Sequence, residues 1–423
     1  MIRPDIAWLA RPLLGVLLVL TIAGCVPAEP SPTPAPKPTA APAAAATSPA
    51  QSAQSAPSTP ASGASVKEVK VGLLYPTTGS SATTGQAMVN GHVLATDEIN
   101  AAGGIKSLGG AKLVNVMGAF QSAVTFATTQ LAEEKQIPYL VPIGAADNIT
   151  ERGFKYTFKI SPKGSRAATD MLDLIRDLGN QTGHEAKTIG LVFVDNLFGQ
   201  NQADSLRKLL PQYGLSLVAD LSYPETTSDV SGVVAKLKAA NPDVVLQSSY
   251  TQDGILLSRA MADQDYAPTL AWMGFGGNAG DPQFFDAVGK QAENYFTEGF
   301  WLSSLPAPGV KEEAAAFQQR FNMEMDEYSA PAYTATYVLA DALERAGSAD
   351  PQKLREALSS TNMNVGTKGN LFSFPITFPP DGQTPSHFIF VQNQNGKRVV
   401  VWPEDAAGGN HPMWPGLLGT KTS

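Results

Sequence analysis

From residue 69 onward, short apolar runs alternate with stretches whose apolar residues recur at helical spacing. Val69–Tyr75 (VKVGLLY) is short, β-branched at its start and ended by Pro76, which predicts a buried strand. The Gly/Ser/Thr stretch TTGSSATTG follows as a loop. Gln86 to Ala102 then sets Met88, Val89, Val93, Leu94 and Ile99 at helical spacing and closes on Gly103–Gly104, a helix stop. The grammar repeats, with VNVMGAF a strand, Ser122–Lys135 a helix and IPYLVPIG a strand. Farther on come a strand over Thr188–Val194, a helix over Gln202–Tyr213 and a strand over Leu215–Leu221. A helix over Val230–Ala240 and a strand over Asp243–Gln247 complete the series. Such alternation means an α/β architecture with mostly parallel sheets. Two series joined around Phe158–Lys163 predict two similar lobes.

The first 66 residues follow another pattern. Arg3 and Arg11 precede the apolar run LLGVLLVLTIAG (Leu13–Gly24), which reads as a secretory signal over residues 1–24. The run is shorter than the roughly twenty apolar residues of a comfortable transmembrane helix. Cys25, the only cysteine in the chain, follows at once. Residues 26–66 are almost wholly Pro, Ala, Ser and Thr, which cannot form a core and predict an extended tether. With neither a pocket nor a core around it, Cys25 is expected to be an attachment point.

Composition narrows the class. The remaining body of about 355 residues exceeds one ordinary core. A net charge of −8 with no basic block argues against nucleic acid as a partner. One cysteine allows no internal disulfide, so burial alone must hold the body together.

In open α/β sheets ligands sit beyond the carboxyl ends of strands. The loops expected there are TTGSSATTG, GAFQSAVT, IGAADNIT, VDNLFGQN, QSSYTQDG and MGFGGNAG. Each mixes glycines, hydroxyls or amides with an occasional ring (Phe120, Phe198, Tyr250, Phe275). That blend suits a small polar solute held by N–H groups and hydroxyls and covered by aromatic faces.

GLLYPTTG followed by GQAMVNGHVLATDEINAAGGI resembles the opening of the branched-chain amino acid/amide-binding proteins of bacterial ABC importers. The likeness continues through GAFQSAVTFATTQLAEEKQIPYLV, ITERGFKYTFKISP, VFVDNLFGQN, YSAPAYTATYVLADALERAG and VVVWPED, covering nearly all of residues 68–405. IAGC also resembles a bacterial lipobox, which implies lipidation of Cys25 and tethering to the outer face of a bacterial cell membrane. The resemblance implies a type I periplasmic-binding fold: two doubly wound α/β lobes joined by three crossovers, near 160–163, 300–304 and 365–371. It would place 68–162 and 303–365 in lobe one, 163–302 and 371–405 in lobe two, and leave 406–423 as a tail. The implied function is an extracytoplasmic receptor, monomeric and without a cofactor, that passes its solute to an ABC permease driven by separate ATPase subunits.

The resemblance also carries site residues. Ser122 matches the serine that holds the ligand carboxylate; on its own, a serine opening a helix is equally a capping residue. Main chain at Gly144, Ala145 and Ala146 matches a loop that binds the ligand's polar head. Phe198, Tyr250 and the Phe275 loop match positions that close over the ligand from the second lobe, and each could instead be ordinary packing. Thr84 falls where relatives place an aromatic residue.

Two departures stand out. Amino-acid binders carry an acid after the strand that here ends WMGFGGN, where this chain has Phe275 and Gly276. No carboxylate follows until Asp281, and Asp253 or Asp195 would have to substitute to pair a buried ammonium. An amide, a urea-like compound or a carboxylate fits equally well, and the aromatic-rich loops suit an aromatic acid. Second, only KLVNVMGA separates the helix ending at Gly104 from the one opening at Ser122, where the family has strand, helix and strand. One strand–helix unit is therefore expected to be missing from lobe one, leaving a bare sheet edge and exposed apolar surface.

Enzyme readings find little support. GxSxG, HExxH and P-loop motifs are absent, and His92, His184, His387 and His411 are scattered without metal-ligand spacing. Glu133–Glu134 and Glu312–Glu313 read as solvated helix faces. The rival reading is a sensor domain working with a separate signalling partner.

Overall fold

The computed structural model describes residues 67–70, 72–114, 117–276 and 281–415. The expected signal, Cys25, the tether and the last part of the tail lie outside these residues.

The chain begins with two short strands, β1 (Glu68–Lys70) and β2 (Leu73–Leu74), then the long helix α1 (Ala82–Ala101). The helix starts four residues earlier than its apolar spacing predicts, because Ala82, Thr83 and Thr84 extend it into the expected loop. Strands β3 (Lys112–Val114) and β4 (Met117–Gly118) run parallel to β1 and β2 with one common offset, pairing 68 with 112 and 73 with 117. The pairs 68–70 with 112–114 and 73–74 with 117–118 therefore share one register. Among the described residues, α1 and α2 (Ser122–Lys135) are separated by one 3₁₀ turn, Lys106–Leu108, and by β3 and β4 with no helix between them, in line with the strand–helix unit expected to be missing. Next come β5 (Tyr139–Val141) and β6 (Thr157–Lys159), a parallel pair with β5 lying against β4.

The second series is longer and more regular. It runs α3 (Gly164–Thr182), β7 (Thr188–Val194), α4 (Leu197–Leu209), β8 (Ser216–Tyr223), α5 (Ser231–Ala240), β9 (Val244–Ser248), α6 (Thr251–Asp263), β10 (Ala271–Phe275), α7 (Pro282–Val288) and β11 (Phe296–Gly299). The chain then returns through α8 (Val310–Phe321), α9 (Ser329–Ala346) and α10 (Pro351–Ser359) to the short pair β12 (Asn362–Met363) and β13 (Ile376–Thr377). It finishes with β14 (Ile389–Gln394), β15 (Lys397–Trp402) and the turn α11 (Glu404–Ala407).

Seven strands form one mixed sheet in the order β15-β14-β11-β10-β9-β7-β8. Its middle strands β9, β10 and β11 are buried at every position, as expected of parallel strands covered on both faces. β8 alternates buried and exposed residues, as an edge strand does.

On the other side of the molecule α1 packs along α9. His92 of α1 is buried there, its Nε2 2.7 Å from the Tyr75 hydroxyl and its Nδ1 2.6 Å from Thr336 Oγ1. Burial holds its pKa down to about 3, so the imidazole is neutral and joins the two helices. Glu98 accepts hydrogen bonds from the Tyr333 and Tyr337 hydroxyls at 2.8 and 2.7 Å.

Candidate functional site

A cavity of about 50 Å³ lies where the amino end of α2 faces the carboxyl ends of β7, β9 and β10. Ser122, Ala145, Phe198, Tyr250 and Phe275 all line it. Gly144, Ala146 and Thr84 are not among its lining residues. Gly144 packs on Thr125 and Ile149. Ala146 supports the wall from behind, its N–H donating to Ser122 Oγ at 3.2 Å. Thr84 reaches the carboxylate of Asp281 instead, linking α1 to the cap of α7.

Ser122 is the first residue of α2, and the capping position is Gln121, whose side chain does not cap. The serine hydroxyl is therefore not spent on the helix. It accepts from Ala146 and keeps its own proton to donate, beside the free N–H groups of the first turn.

The opposite wall is aromatic. Phe198 stacks on Tyr250 at 5.4 Å and on Phe275 at 5.2 Å, and Phe120 lies 5.8 Å from Tyr250 and 5.6 Å from Tyr328. Asn196 caps α4 by accepting from the N–H groups of Phe198 and Gly199 at 3.1 and 3.2 Å, which fixes where the Phe198 ring stands. Glu225 joins the two sides, accepting from Gln121 Nε2 at 2.9 Å and Asn196 Nδ2 at 2.8 Å.

Neither candidate substitute for the missing acid reaches the cavity. Asp195 is exposed and accepts from Gln200 at 2.7 Å, and Asp253 is taken up by the Tyr223 hydroxyl at 2.6 Å. The carboxylates that line the cavity are Glu298, at the end of β11, and Glu327, just before α9. Both are buried. Burial pushes Glu298 up to about 8, and burial together with the Glu298 charge pushes Glu327 well above the usual range.

Gly276 explains the exchange. Its φ of +95° and the Phe198 ring, 2.4 Å from where a Cβ would stand, leave no room for an acidic side chain at that position. Its N–H instead donates to Glu298 Oε1 at 2.7 Å. Gly299 leaves space for Glu327, whose Oε2 would lie 2.7 Å from a Cβ there. Sequence reasoning missed both glutamates because they come from elements far apart in the chain. The signal available was FTEGF and DEYSAP, acids set among apolar and aromatic residues.

Among the described residues no group of His, Cys, Asp and Glu has the arrangement of a metal site, and no helix is long and apolar enough to cross a membrane.

The fold and cavity are those expected of a solute-binding protein, and comparison with known proteins gives the family. The chain belongs to the family described as Periplasmic binding protein, whose profile matches residues 68–114 and 108–398. The two matches overlap over residues 108–114, which include β3. The Leu/Ile/Val-binding protein homolog 7 of Brucella abortus (strain 2308) is 28% identical over 304 residues, 70% of this chain and 75% of the relative. The branched-chain amino acid transporter substrate-binding protein LivJ of Streptococcus pneumoniae, solved with isoleucine, superposes with a TM-score of 0.69 at 21% identity, covering 80% of this chain and all (100%) of that one. A solute-binding protein of an R. palustris ABC transporter, solved with benzoate, gives 0.68 at 18% identity over 79% of this chain and 95% of its own. The relatives are solute-binding proteins and not enzymes, and so is this chain.

Proposed function

We propose that the protein is the lipid-anchored receptor of an ABC importer, capturing a small polar solute outside the cytoplasm and delivering it to a permease whose ATPase subunits are separate chains. Lobe one comprises 68–162 and 303–365, lobe two 163–302 and 371–405, and Cys25 carries the anchor. The observation that carries this reading is the cavity itself, with Ser122 and Ala145 on one side and Phe198, Tyr250 and Phe275 on the other.

Ligand meets Ser122 and the 143–147 loop first. Phe198, Tyr250 and Phe275 then close over it, and Glu225 joins Gln121 and Asn196. Closure excludes water and changes the outline that a permease can read. The present cavity holds about the volume of one or two waters, so the rings must part to admit a solute. Isoleucine, acetamide, urea, benzoate and benzylamine form a suitable thermal-shift panel. At least one should raise the melting temperature of the protein, and Ser122→Ala should reduce that rise. A folded protein indifferent to the whole panel refutes the receptor reading.

A further inference from the structure

The polar equipment of the cavity is lopsided. Glu298 and Glu327 are 3% and 5% exposed, and both line it. Glu298 spends one oxygen on the Gly276 N–H, while the side-chain neighbour of Glu327 is the Tyr328 hydroxyl. The Tyr328 hydroxyl beside them is buried, and burial first and then the Glu327 charge push it well above its usual range. Positive charge from the protein is committed elsewhere. Arg398, whose charge reaches Glu327, is ion-paired with Glu324. Lys159 stands behind the wall, its Nζ donating to the Pro162 carbonyl at 2.7 Å and to Gln383 Oε1 at 3.2 Å.

Two buried acids need either a proton or a cation between them. A cationic solute can take the place of that proton, and an anion such as benzoate cannot. The rings around the acids add a second attraction of the same sign, since an ammonium over an aromatic face is held by the ring's quadrupole. We propose that the solute is an organic cation, a protonated or quaternary amine on an apolar or aromatic body, bound with its charge at Glu298 and Glu327 and its body among Phe198, Tyr250 and Phe275. This rests on the receptor reading and specifies the charge of its solute.

The test is calorimetric titration of the purified full-length chain with benzylamine, choline, isoleucine and benzoate. Benzylamine or choline should bind at least tenfold more tightly than benzoate. Glu298→Gln together with Glu327→Gln should weaken that cation at least tenfold without weakening benzoate. The wild-type ranking decides the matter even where the double variant does not fold. Binding of benzoate or isoleucine in preference to both cations overturns the charge assignment and leaves the receptor reading standing. Binding of none of the four overturns the assignment and counts against the receptor reading as well.

Discussion

The two halves of this molecule are built on the same grammar and finished to different degrees. The half built on the seven-stranded sheet has strands buried along their whole length in its middle and helices on both faces. Among the described residues, 68–162 has only short parallel pairs, β1 with β3, β2 with β4 and β5 with β6. Leu74, Val124, Leu131 and Ile137, four of the large apolar residues most exposed in the structure, belong to it. Removing one strand–helix unit leaves the ligand-facing amino end of α2 in place and takes away cover behind it. The site depends on strand ends, and stability depends on the layers behind them.

The sharpest contrast is in core substitutions. Phe390 of β14 is 0% exposed and packs on Trp402 at 5.6 Å. Phe390→Ala should cost about 3–5 kcal/mol in urea unfolding. Leu74 of β2 is 43% exposed, and Leu74→Ala should cost less than about 1 kcal/mol. Equal losses would show that the open half is as well packed as the closed one.

The next effect is a pH dependence centred on the cavity. Burial raises Glu298 to about 8, Asp326 to about 6 and Glu327 well above its ordinary value. Each binds its proton more tightly folded than unfolded, so the stability they contribute is complete below about pH 4 and is lost as pH rises through the folded values. His92, lowered to about 3, works the other way, its contribution being present above about 6.5 and lost as pH falls. Lys159, lowered to about 7 by burial, changes little between the two states below that pH. Between pH 5 and 7 the acids outnumber the histidine, so the melting temperature of the ligand-free protein should fall. Glu298→Gln should flatten that slope by on the order of 2 kcal/mol at pH 7. A slope unchanged by the substitution would remove Glu298 as its source.

Much of this contrast was legible in the residues. Thr188–Val194 and Ser122–Lys135 were bounded correctly because β-branched runs and a polar helix start are local signals. The short KLVNVMGA segment announced the missing unit, since chain length between two helices is a hard limit. Ser122, Phe198, Tyr250 and Phe275 were placed through the order of their loops. Glu298 and Glu327 were not legible, because what makes them a pair is the meeting of β11 with the start of α9. Thr84, expected among the ligand-binding residues, does not line the cavity, because its loop-like sequence folds as the first turn of α1.

A smaller effect lies at Glu225. Gln121 and Asn196 both donate to Glu225. Gln121→Ala removes one of these bonds and should weaken closure by about 0.5–1.5 kcal/mol. Stopped-flow release of whichever panel compound binds should become faster, with association little changed. A slower association with release unaltered would mean that Glu225 guides entry instead of holding the closed form.

The smallest change in stability comes with the clearest test of the uncovered surface. Leu131 and Ile137 are 54% and 53% exposed, and Val124 lies on the same face of α2 two turns before Leu131. Leu131→Lys with Ile137→Lys should alter unfolding free energy by no more than about 0.5 kcal/mol per site. Charge there should nonetheless reduce concentration-dependent association in sedimentation velocity, because apolar patches on an unfinished half favour contact between copies. Val218→Lys is the control, since Val218 is 40% exposed on β8, the edge of the complete sheet. If the pair costs 2 kcal/mol or more (about a thirtyfold shift in the folding equilibrium), those side chains are covered in solution. The half that begins the chain would then be complete by some contact the fold alone does not supply.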